Sequence, residues 1–118
     1  MRVQQMAKSR EELASLKCVP CRGDQPLMKQ DEIKLMLGSV SGWTKAAGKL
    51  DKIEKVFEFK NFKKAMEFVN KVAEIAEEEG HHPDILIEWN KVTLTLWTHA
   101  IKGLFSNDFI LAAKIDEI

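Results

Sequence analysis

The spacing of apolar residues predicts an α+β domain with elements in the order helix, strand, strand, helix, strand, strand, helix. Three observations carry this reading. Phe62, Ala65, Met66, Val69, Val72, Ala73 and Ala76 form one stripe at helical spacing. Ile85, Ile87 and Trp89, then Val92, Leu94 and Leu96, alternate with a period of two, as half-buried strands do. Gly42, Gly48, Gly80 and Asn90 stand at the joins between such runs, where turns are expected.

At 118 residues the chain is long enough for one domain with a real core. Eighteen basic and eighteen acidic residues balance, which removes the bulk electrostatic case for a direct nucleic-acid partner. No apolar run approaches the ~20 residues of a membrane span, and the first ten residues carry no secretory signal core. A cytoplasmic location is therefore expected. Two cysteines suit a reducing compartment better than a disulfide scaffold.

Residues 1–27 read as an N-terminal extension and residues 28–118 as the domain proper. In the extension, Ser9 and Glu12 make a capping box ahead of Leu13 and Leu16, enough for one or two helical turns. Pro20, Gly23 and Pro26 then prevent a long element. Cys18-Val19-Pro20-Cys21 stands alone, without the second pair a structural zinc site requires. It reads first as packing thiols in a loop, and only then as a shared zinc site or a redox pair.

Lys29 to Val40 is expected as the first long helix, since Ile33, Met36, Leu37 and Val40 share a face. Trp43–Lys49 and Leu50–Phe59 are expected as a hairpin turning near Gly48. Lys55 interrupts the apolar row of the second strand, which suits an edge or a strand end. Asn61 is a natural N-cap for the next helix, and Gly80 its left-handed terminator. Glu77, Glu78 and Glu79 crowd the negative end of that helix dipole, a local conflict that often marks function. For Glu78 and Glu79 a solvated face is the preferred account.

After Pro83 come strands Asp84–Asn90 and Val92–Thr98, joined at Asn90-Lys91. A two-residue turn there pairs residues whose numbers sum to 181 and puts His82 opposite His99. Ser106 is expected as the N-cap of the last helix, with Phe105 and Ile110 as its staple and Asp108 in the first turn.

All three histidines, His81, His82 and His99, thus converge on one junction, with Glu77 one turn before His81. Imidazoles titrate near neutral pH, so a pair can supply a general acid and a general base. Three histidines could also hold zinc. Adjacent His81 and His82 cannot easily aim both rings at one ion, however, and no HExxH or HxH spacing occurs. Nucleophilic catalysis has little support, because no GxSxG is present and Cys21 has no tie to the histidines.

The run Glu77-x-x-x-His81-His82-Pro83, then Trp89, His99 and Asp108, resembles the signature of the pterin-4a-carbinolamine dehydratases. The resemblance extends from about Leu27 to the C-terminus and includes Asn90-Lys91-Val92 and Gly103-Leu104. It implies a four-stranded antiparallel sheet with helices packed on one face, assembled as homodimers or homotetramers. It implies elimination of water from a 4a-hydroxytetrahydropterin, in recycling the pterin of aromatic amino acid hydroxylation, with no metal and no bound cofactor. By the same resemblance His81, His82 and His99 do the acid–base work and hold the pterin, with His81 and His99 as the proton-transfer pair. Glu77 would orient His81 or keep it cationic, and Pro83 and Trp89 would support the site. Trp43 matches a family tryptophan near the pterin, and equally suits a core position at a sheet end. Asp108 would reach the site or serve the helix start. Phe105 stands where the family often has the Ser or Thr cap. Some family members are also dimerisation partners of a transcription factor, so a protein-binding scaffold acting as a coactivator is the alternative. The three histidines favour the enzyme, because a scaffold has no use for converging imidazoles.

Overall fold

The computed structural model describes residues 8–20 and 22–118. The helices are α1 (Arg10–Ser15), α2 (Gln30–Leu37), α3 (Phe62–Glu79) and α4 (Ser106–Asp116). The strands are β1 (Thr44–Lys45), β2 (Ile53–Glu58), β3 (Asp84–Glu88) and β4 (Lys91–Leu96). A 3-10 turn, His99–Ile101, separates β4 from α4. The strands form one antiparallel sheet in the order β1-β2-β4-β3, giving the α+β fold that the apolar spacing predicts.

Alternation along the strands decides what the sheet buries. Ile53, Val92, Leu94 and Leu96 are fully buried on the helix side. Val56 and Leu86 are exposed on the opposite side, beside Glu54, Glu58 and Glu88. α3 covers this core with Ala65, Phe68, Val69, Val72 and Ala76, while Phe62 and Ala73 of the expected stripe remain exposed. Asn61 caps α3 by accepting the Lys64 N–H at 2.9 Å. Gly80 ends it at φ 66, a left-handed conformation that favours glycine, and the His81 N–H then reaches the Ala76 carbonyl at 3.2 Å. That terminator sets where His81 leaves the helix.

Three expectations are corrected. The β3–β4 pairs sum to 179 rather than 181: Glu88 faces Lys91, Ile87 faces Val92 and Ile85 faces Leu94. The turn therefore lies at Trp89-Asn90 rather than Asn90-Lys91. Asn90 explains the slip, because its carbonyl accepts the Phe59 N–H at 2.8 Å and its side-chain amide donates to the Phe59 carbonyl at 2.9 Å. Those bonds tie Asn90 to the end of β2 and leave Trp89 to take the positive φ of 52. A shift of two preserves the faces, so the apolar assignment survives while His82 is no longer opposite His99.

Second, Lys55 does not mark an edge. β2 lies between β1 and β4, and Lys55 faces the helices, where its ammonium donates to Asp116 Oδ1 at 2.8 Å and the Ser41 carbonyl at 3.1 Å. The buried carboxylate makes an inward lysine tolerable. Third, Ser106 is the first helical residue of α4, not its cap.

The described part of the N-terminal extension joins the same core. The capping box forms between Ser9 and Glu12, and Leu13 is buried among core residues. Asn107, itself buried, exchanges two hydrogen bonds with the backbone of Val19, at 2.9 and 2.7 Å. Glu79 accepts the Cys18 N–H at 2.8 Å and lies 3.7 Å from the Lys114 ammonium. Glu79 is therefore no solvated residue, since its side chain is only 6% exposed. Burial and the neighbouring Glu79 carboxylate push the Cys18 thiol up to about 12. Cys18 is thus a packing thiol, and Cys21 lies outside the described residues.

Candidate active site

The site is built on the first turn of α4. Asp108 is fully buried there and spends both carboxylate oxygens on neighbours. Its Oδ2 accepts the Phe105 N–H at 3.0 Å and the Thr98 hydroxyl at 2.8 Å. Its Oδ1 lies 2.6 Å from His81 Nε2. One carboxylate thus caps the helix start, binds the end of β4 and fixes the histidine that leaves α3. A carboxylate offers only acceptors, so Nε2 of His81 carries the proton and Nδ1 is left for other work. The His81 side chain is largely buried, at 11% exposed.

His82 is held differently. Its Nε2 lies 2.5 Å from Glu77 Oε2, and both side chains are largely in water. The expectation that Glu77 serves His81 is corrected: Glu77 pairs with His82, and Asp108 takes His81. Gly80 is the cause, because the left-handed residue turns the chain so that His81 faces α4 and His82 falls back along α3.

His99 opens the 3-10 turn instead of closing β4. Just before it, Thr98 pairs with Gly103, its N–H reaching the Gly103 carbonyl at 2.7 Å, so residues 99–102 form a tight exposed loop. Thr98 points inward to Asp108, which links His99 to His81 through one residue and one carboxylate. A second link runs from the other side. The His99 ring stacks on Trp97 with centroids 4.1 Å apart, and the Trp97 indole N–H donates to Asp84 Oδ2 at 3.0 Å. Asp84 is two residues beyond His82, with the half-buried Pro83 between them. The three imidazoles therefore stand on one rim, formed by the end of α3, the start of β3 and the end of β4.

Two other expected residues lie elsewhere. Trp43 is buried and donates its indole N–H to Asp116 Oδ2 at 3.0 Å. Asp116 is eight residues from Asp108 along α4, or ~12 Å at 1.5 Å per residue. Trp43 is thus a core residue at the far end of that helix. Trp89 sits at the hairpin tip, 63% exposed and ~20 Å along β3 from Pro83. A cavity of about 470 Å³ at the Trp43 end, lined by Phe57, Phe59, Phe68, Lys55 and Asp116, contains none of the histidines. Among the described residues no group of three His, Cys, Asp or Glu side chains is arranged to hold a metal ion.

Thr98, Trp97 and Asp84 are the site residues that the sequence alone does not single out. Their signal was available in part: cross-strand arithmetic brings Asp84 towards Trp97, and Thr98 precedes His99.

The fold and this rim define a class: a small α+β protein presenting paired histidines and carboxylates. The family model described as pterin 4 alpha carbinolamine dehydratase matches residues 26–118, and the chain belongs to that family. A crystal structure of a transcriptional coactivator/pterin dehydratase from Brucella melitensis is 32% identical, with a TM-score of 0.73 over 78% of this chain and 97% of that one. A pterin dehydratase-like protein identified as a RuBisCO assembly factor in the alpha-carboxysome is 26% identical, with a TM-score of 0.56 over 64% of this chain and 87% of that one. No described helix is long and apolar enough to cross a membrane.

Proposed function

We propose that this chain is a hydro-lyase that eliminates water from a 4a-hydroxytetrahydropterin to give the quinonoid dihydropterin. The observation that carries the reading is the buried Asp108, which locks His81 by Nε2 while its partner Thr98 sets the loop bearing His99. Enzymes hold an imidazole this way to fix its tautomer and orientation. In the reaction a base takes the N5 proton, the N5–C4a double bond forms, and the C4a–O bond breaks as an acid protonates the departing hydroxyl. One proton is taken and one is given, so the step needs no oxidant, metal or bound cofactor. His81 and His99 are the proton-transfer pair, His82 contacts the ring, and Glu77 orients His82. The reading includes self-association as a dimer or tetramer, measurable by light scattering.

The second reading is a binding scaffold. Two observations favour it: solved relatives carry the words coactivator and assembly factor, and Val56, Leu86 and Trp89 are exposed apolar residues away from the histidines. The deciding experiment measures dehydration of a 4a-hydroxytetrahydropterin generated in situ, with wild type, His81→Ala and His99→Ala. Acceleration by the wild type and a loss of roughly two orders of magnitude in each variant is expected. A folded wild type without acceleration would leave the scaffold.

A further inference from the structure

We propose that Trp97 is a positioning residue for His99, and that Asp84 and Lys52 hold Trp97 in that role. The inference rests on the dehydratase reading for its kinetic consequence, though not for its geometry.

His81 and His82 each spend Nε2 on a carboxylate. The His99 carbonyl accepts the Lys102 N–H at 3.3 Å, but its imidazole has no hydrogen-bond or ion-pair partner among the described residues, and it lies in an exposed loop. An imidazole attached only through its own side-chain torsions samples several rotamers. The contact that restrains it is the Trp97 ring, 4.1 Å between centroids at an interplanar angle of 43°. Aromatic pairs at such separations prefer offset or tilted geometry, so the contact sets the direction of the imidazole as well as its place.

Trp97 is itself anchored. Its N–H is fixed on Asp84 at 3.0 Å, at the first residue of β3. The Lys52 ammonium lies 4.3 Å from its ring centroid, a cation–π contact. Both residues come from elements of the same sheet region, so the indole is held by β3 and by the loop entering β2. The outcome is a chain of contacts, Lys52 and Asp84 to Trp97 to His99, that does for the third histidine what Asp108 does for the first. Positioning of this kind supports catalysis because a misplacement of about 1 Å can cost about a hundredfold in rate.

The test compares wild type, Trp97→Leu, Trp97→Phe and His99→Ala, with the double variant His99→Ala/Trp97→Leu. Trp97→Leu should lower kcat about tenfold or more, with KM changed by less than about twofold, because the loss falls on the transition state. Trp97→Phe keeps a ring against His99 but loses the N–H that Asp84 holds, so its rate should fall between wild type and Trp97→Leu. In the His99→Ala background Trp97→Leu should have no further effect, since a residue acting through His99 has nothing left to act on. Proton NMR supplies a readout independent of turnover: the His99 ring signals should be shifted upfield in wild type and return to ordinary positions in Trp97→Leu. A rise in KM with kcat unchanged, or a full effect of Trp97→Leu without His99, would overturn the proposal and make Trp97 a substrate contact. If wild type shows no dehydration, the proposed reaction falls, and the NMR arm decides the positioning alone: unshifted His99 signals overturn it.

Discussion

The two histidine–carboxylate pairs of the site are adjacent in sequence and nearly equal in length, at 2.6 Å for His81–Asp108 and 2.5 Å for His82–Glu77. They differ in what surrounds them. The side chains of the first pair are 11% and 0% exposed, those of the second 59% and 78%. A short contact in water gains little, because solvent competes for both partners and screens the charge. The same contact under a protein roof leaves a costly orphan when one partner is removed. Burial, not distance, therefore decides which pair belongs to the fold as well as to the chemistry.

The largest expected effect comes from Asp108→Ala. It strips the His81 ring, the Thr98 hydroxyl and the Phe105 N–H of one shared acceptor. A destabilisation of about 3–5 kcal/mol is expected, the range for breaking a buried pair, measured by urea unfolding. Activity should be lost as well. A stability loss below about 1 kcal/mol would break the comparison, because the buried pair would then behave like the exposed one.

The run of glutamates at the end of α3 repeats the contrast within three residues. Glu77 is in water on His82, while Glu79 is enclosed between the Cys18 N–H and Lys114. Glu79→Ala should cost about 2–3 kcal/mol, since it leaves a buried donor unpaired, and should loosen the described part of the extension, seen as faster proteolysis before Pro26. Cys18 reports on the same place. Its thiol is raised to about 12 from 9.0 by burial first and by the Glu79 carboxylate second. The neutral thiol therefore supports the folded state fully below about pH 9, and that support is lost as pH rises from 9 through 12. Cys18 should resist alkylation at pH 8 in the native protein and react on unfolding, and Glu79→Ala should increase its native reactivity.

The fold was largely legible because it rests on periodicity. The stripe of α3, the two alternating runs and the cap residues Asn61 and Gly80 each fix an element locally. The hairpin register was misread by two residues because the deciding bonds, Asn90 to Phe59, are 31 residues apart in sequence. The histidines were legible as residue types at a junction. Spacing points Glu77 to His81 and leaves Asp108 without a named histidine, because the direction in which Gly80 releases the chain cannot be read from it. For Trp43 the sequence leaves two readings equal, near the pterin by resemblance or in the core at a sheet end, and its burial and bond to Asp116 favour the second. Glu79 was misjudged for the same kind of reason: its partners lie 61 and 35 residues away, so helix periodicity gave no sign that it was covered.

Thr98→Val sharpens the comparison from the interior. Thr98 is 2% exposed, and its hydroxyl is one of three donors that the Asp108 carboxylate serves. The substitution keeps the shape and removes one donor, so a loss of about 1–2 kcal/mol is expected, smaller than for Asp108 itself. The Asp108 carboxylate then leans on fewer partners, and the loop bearing His99 loses one anchor. Turnover should fall with stability in this variant. A change in stability with turnover untouched would separate the His99 loop from the Asp108 clamp.

The smallest effect on stability, and the cleanest cut, is Glu77→Gln. Both side chains of its pair lie in solvent, so unfolding should shift by no more than about 0.5 kcal/mol. The amide still offers an oxygen to His82 Nε2 but carries no charge, so the ring can be held while its electrostatic partner is gone. If Glu77 orients and charges His82 for contact with the pterin, kcat/KM should fall about tenfold at unchanged stability. Asp108 and Glu77 would then differ in kind: one variant loses fold and rate together, the other loses rate alone. Unchanged kinetics in Glu77→Gln would reduce the exposed pair to a surface contact and leave His81, Asp108 and His99 as the working set.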